Sequence, residues 1–77
     1  MSRQFSGPAL KAARLAAGLT PEQVAVAIGR SAWSIQSYEL GRGLPPVPVL
    51  AHLADVLGVG IEDLFVTSGD QEAAGVA

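Results

Sequence analysis

Apolar residues recur along the chain at helical spacing, and glycines punctuate the runs. Leu10, Ala13, Arg14 and Ala17 fall on one face of a first helix. Ser6 can cap that helix, Gly7-Pro8 sit in its opening turn, and Gly18 ends it. A second run carries Val24 and Ile28 up to Gly29, and a third carries Ile35 and Tyr38 up to Gly41. After the turn-rich stretch Arg42-Gly43-Leu44-Pro45-Pro46, a fourth helix is expected from Val47 to Leu57. Its apolar face is Leu50, Leu53, Ala54 and Leu57, and Pro48 is tolerable there because it lies in the first turn. A short fifth helix from Ile61 to Phe65 would put Ile61, Leu64 and Phe65 on the core. No stretch shows the alternation of a strand, and no internal repeat is present. Residues 1–6 read as a flexible lead-in, 7–66 as the folded domain and 67–77 as a disordered tail.

The densest set of local signals lies between Thr20 and Gly41. Thr20 can accept an orphan backbone N–H, and Pro21 follows where a missing N–H costs nothing. Gln23, three residues after Thr20, completes a capping-box pattern. Gly29 can stop the helix in a left-handed conformation, and Ser31 can cap the next one. Only Gly29-Arg30-Ser31 separates the two helices, so they must cross sharply, and Ala25 is small where they approach. This is helix-turn-helix geometry, whose second helix can be offered to a DNA major groove.

With 77 residues, of which 49% are hydrophobic, the chain can build one core. Without cysteine it has neither disulfides nor thiolate metal sites. Met1-Ser2-Arg3 leads into no apolar run, and no stretch approaches the ~20 apolar residues of a membrane span, so a cytoplasmic protein without a membrane partner is expected. His52 has only Asp55 one turn away, which does not make a metal site. No catalytic set and no nucleotide-cradling loop can be assembled, so neither an enzyme nor a cofactor is expected. Net charge is −2, but it is polarised. Residues 1–43 carry five bases against two acids, and residues 44–77 carry five acids and no Lys or Arg. The local field around the helix-turn-helix, not the total, is what a phosphate backbone would meet.

At this point the residues resemble the phage-repressor and Cro-like helix-turn-helix domains, the xenobiotic-response-element class of regulators. The matching features are Leu10 with Arg14, Gly18-Leu19-Thr20, Ala25, Gly29, Ser31, Ile35, Glu39, Gly41, Pro45, Leu53-Ala54, Leu57-Gly58-Val59 and Leu64-Phe65. The resemblance implies an all-α, compact five-helix lambda-repressor-like domain with the helix-turn-helix at its second and third helices. It implies binding of double-stranded DNA as a homodimer, with Ser31 to Leu40 as the recognition helix. Ala32, Trp33 and Ser37 would face base edges, with Ser34 and Gln36 close to the backbone or flanking bases. Arg14 and Glu39 would form a structural ion pair, and Arg42 would contact phosphate after the recognition helix. Thr20 and Ser31, at the helix starts, and Lys11 and Arg30 complete the expected phosphate contacts.

The chain departs from the pattern in three places. Pro21 replaces a Gln that often touches phosphate, Leu40 replaces an Asn, and Gly43-Leu44 replaces a basic loop. These departures, the net acidity and Trp33 keep a second reading open, in which the same fold is a protein-interaction module or an antitoxin-like partner. Trp33 fits a thymine methyl, the sugar-phosphate wall, the neighbouring helix or a protein partner. Leu15, Val26, Leu40, Leu44, Val47 and Val56 exceed the needs of the core. A symmetric dimer face is expected on the fourth and fifth helices, including Val56 and Val66.

Overall fold

The computed structural model describes residues 2–67. Four α-helices form the body: α1 (Gly7–Ala16), α2 (Pro21–Ile28), α3 (Ala32–Glu39) and α4 (Val47–Leu57). The fifth expected helix is instead a single 3-10 turn, Ile61–Leu64. Two short strands flank the helical body, β1 (Arg3–Phe5) and β2 (Phe65–Thr67). They pair antiparallel, with Arg3 opposite Thr67, Gln4 opposite Val66 and Phe5 opposite Phe65. This small sheet corrects both the all-helical expectation and the loose lead-in over 1–6. Phe65 belongs to a strand rather than a helix, and Thr67 belongs to a strand rather than a tail. The remainder of the expected tail lies outside the described residues.

The sheet forms because the ends of the domain have groups to share. Ser6 donates its backbone N–H to Leu64 O at 2.8 Å, which extends the pairing into the start of α1. Its Oγ accepts from Ala9 N at 3.0 Å, so one buried serine ties the strand and caps the helix. Phe5 and Phe65 meet edge to face, their centroids 6.4 Å apart at 85°, a favourable quadrupole arrangement.

The core is Leu10 from α1, Val24, Ala25 and Ile28 from α2, Ile35 and Tyr38 from α3, and five residues of α4 with Leu64. Val49 joins Leu50, Leu53, Ala54 and Leu57, a wider buried face on α4 than the spacing predicted. Ile61, expected in the core, is 38% exposed. It opens a one-turn element, whose few positions cannot all face inward. Ala17 is also exposed, as the C-cap of α1. Among the described residues no helix is long and apolar enough to cross a membrane.

Candidate nucleic-acid interface

The turn between α2 and α3 is built from the residues that announced it. Thr20 Oγ1 accepts from Gln23 N at 3.1 Å, and Gln23 Oε1 accepts from Thr20 N at 2.9 Å, closing the capping box. Gly29 takes the left-handed conformation, φ 71° and ψ 35°, which an L side chain rarely adopts. Arg30 then donates its N–H to Ala25 O, and Ser31 Oγ accepts from Ser34 N to start α3. With Ala25 only 3% exposed at the crossing, α2 and α3 pack closely through Val24, Ile28, Ile35 and Tyr38.

That packing fixes which face of α3 points away from the body. Ile35 and Tyr38 are inward, so the positions opposite them on a 3.6-residue turn face solvent. Trp33 is 70% exposed and Leu40 66%, with Gln36 exposed between them. Ala32 and Ser34 are half-buried at the flanks. Ser37 is 8% exposed, so of the five expected base readers it is the one whose side chain is not open. Arg42 donates its backbone N–H to Ser37 O at 2.9 Å, turning the following chain back against the last turn of α3.

Arg14 and Glu39 pin α3 to α1. Arg14 Nε lies 2.6 Å from Glu39 Oε2 and Nη2 lies 3.1 Å from Oε1, a bidentate fork. Arg14 Nη1 donates to Leu19 O at 2.9 Å, so the same guanidinium also holds the link into α2. Both side chains are more than nine-tenths buried. The hydrogen bond to Glu39 raises the Arg14 pKa above its ordinary range, against the lowering effect of burial, so Arg14 stays cationic at physiological pH. A second device acts beside it. A Cβ on Gly7 would collide with the backbone oxygens of Glu39 and Tyr38, the latter 2.6 Å away. The first turn of α1 therefore approaches the end of α3 as closely as glycine permits. A glycine inside a helix opening, where any good helix former would serve, was the only sequence signal of this contact.

The five expected phosphate contacts divide into two groups. Lys11, Arg30 and Arg42 are exposed cations. Thr20 and Ser31 are exposed too, but each is engaged as a cap, and Ser31 Oγ also lies 3.1 Å from Ser34 Oγ. Glu22 sits in the first turn of α2, where it already satisfies the positive end of the helix dipole. An open groove of about 390 Å³ joins these elements, lined by Pro8 and Lys11 of α1, Pro21 of α2, and Gln36 and Leu40 at α3. No local sequence pattern marks this groove, because its walls come from three separate elements. His52 and Asp55 are exposed on α4, and among the described residues no three His, Cys, Asp or Glu gather to hold a metal.

Two capped helices crossing at Gly29, with the outer face of the second open to solvent, define a helix-turn-helix domain. Residues 7–65 match the model of the helix-turn-helix domain family, and the chain belongs to that family. The solved structure of the clp gene regulator ClgR from C. glutamicum is similar to it at 30% sequence identity and a TM-score of 0.70. The match covers 91% of this chain and 84% of that one. No curated protein matches the chain.

Proposed function

We propose that this chain is a sequence-specific DNA-binding transcriptional regulator that places α3 in a major groove. The observation that carries this reading is the outward face of α3, held in position by the Arg14–Glu39 fork within a helix-turn-helix domain. The similarity to a protein named as a gene regulator supports the same reading. Lys11, Arg30 and Arg42 would position the domain on phosphates, and Trp33 and Gln36 would meet base edges. Ser37 keeps no side-chain role in this scheme, because it is buried. The chain acts as a homodimer on an inverted repeat, so that two copies of α3 enter successive major grooves ~34 Å apart. The dimer face lies on the α4 side, where Val47 remains 71% exposed, while Val56 packs against the core and Val66 is half-buried in β2.

A second reading has its own support. Trp33 and Leu40 form an exposed apolar pair on the same face, and the start of α2 is internally capped rather than open to a phosphate. Under it, α3 docks a protein partner. Selection of duplexes from a random pool at low salt separates the two. The regulator reading predicts convergence on an inverted repeat. A pool that stays random overturns it and leaves the partner reading.

A further inference from the structure

The chemistry of the α3 outer face limits which bases it can read. We infer that the half-site is A·T-rich, with thymine methyl groups packed on Trp33 and an adenine read by Gln36. This rests on the DNA-binding reading above and narrows it to a class of sequence.

The first observation is what α3 lacks. From its cap Ser31 to Leu40 there is no Arg or Lys, the side chains that address guanine O6 and N7 as a pair. The second is what its polar residues are doing. Ser31 and Ser34 are hydrogen-bonded to each other and to the helix start, and Ser37 is buried. Gln36 is exposed, and its amide makes no hydrogen bond within the described residues. An amide with a donor and an acceptor side by side matches adenine N7 and N6 in the major groove. The third is Trp33, the most exposed apolar side chain of α3, in its first turn. Among the base edges of a major groove, the apolar feature such a surface can pack on is the 5-methyl group of thymine. Spacing then joins the two contacts. Three residues of helix rise amount to about 4.5 Å, close to the ~3.4 Å step between base pairs, so Trp33 and Gln36 address neighbouring pairs. One pair is read by its methyl and the next by its adenine, and both are A·T.

The test uses duplexes selected from a random pool by the purified full chain, then remade with deoxyuridine in place of thymine at single half-site positions. Removing one packed methyl should weaken binding about fourfold. Trp33→Ala should bind the thymine duplex more weakly and should no longer distinguish deoxyuridine from thymine. Gln36→Ala should lose its preference for adenine at one position of a reselected pool. Half-sites centred on G·C pairs, or deoxyuridine duplexes bound as well as thymine ones, overturn this inference while the DNA-binding reading stands. A deoxyuridine effect that persists in Trp33→Ala overturns the assignment to Trp33. A pool that never converges overturns the DNA-binding reading and this inference with it. Trp33 is exposed, so an unchanged helical circular dichroism spectrum of Trp33→Ala is the control for folding.

Discussion

The two faces of α3 follow opposite rules. The inner face is closed and over-determined. Ile35 is fully buried, Tyr38 nearly so, and Glu39 is gripped by Nε and Nη2 of the Arg14 guanidinium. The outer face is open, and Trp33, Gln36 and Leu40 meet solvent there. A surface meant to match another molecule gains from being held rigidly from behind while its own side chains stay unengaged. Changes on the inner face should therefore register in stability, and changes on the outer face in binding.

The largest expected effect is on the fork. Arg14→Ala strands the buried Glu39 carboxylate and should cost about 3–5 kcal/mol in chemical denaturation. Replacing both partners together, as in Arg14→Met with Glu39→Leu, should recover a large part of that loss. A double variant as unstable as the single one would show that burial of charge is not the issue. Next comes Gly7→Ala, which drives a methyl group into the carbonyl oxygens at the end of α3 and should cost about 1–3 kcal/mol. An unchanged midpoint would mean that α1 and α3 can separate freely. Thr20→Ala removes the cap of α2 and should lower stability by about 1 kcal/mol in the same assay. At the small end, Trp33→Ala should move stability by no more than about 0.5 kcal/mol, because its side chain is exposed. Its binding to a selected duplex should nevertheless weaken. The salt dependence of that binding sharpens the same contrast. Lys11, Arg30 and Arg42 on two protomers would neutralise six phosphates, for a log–log slope of about −5, and Arg42→Ala should make it shallower by about 1 per protomer.

Legibility in the sequence follows the same division between local and distant. The capping box at Thr20 and Gln23, the left-handed Gly29 and the Ser31 cap were readable because each acts within four residues. The pairing of β1 with β2 was not, since three-residue strands are too short to show alternation and their partners lie about sixty residues apart. The run Ile61 to Phe65 has apolar spacing that suits a helix, yet a 3-10 turn followed by a strand uses the same residues. Arg14 and Glu39 lie 25 residues apart, and spacing alone could not join them; only the family resemblance did. Ser37 misled for a related reason. A helical wheel sets it beside Trp33, but a wheel does not contain the rest of the fold, in which Ser37 is buried. On the candidate interface, the residues with open side chains were visible in the sequence, and the groove between α1 and α3 was not.

Trp33 is the only tryptophan in the chain, so its indole N–H gives one resonance that reports on the outer face of α3 alone. Titrating a selected duplex into isotope-labelled protein and following that resonance tests the central claim most directly. The account predicts a shift that saturates together with complex formation, while the Arg14 and Glu39 backbone resonances stay nearly in place. A complex that forms with the indole resonance unmoved would show that DNA is held elsewhere and that α3 is not the reading element.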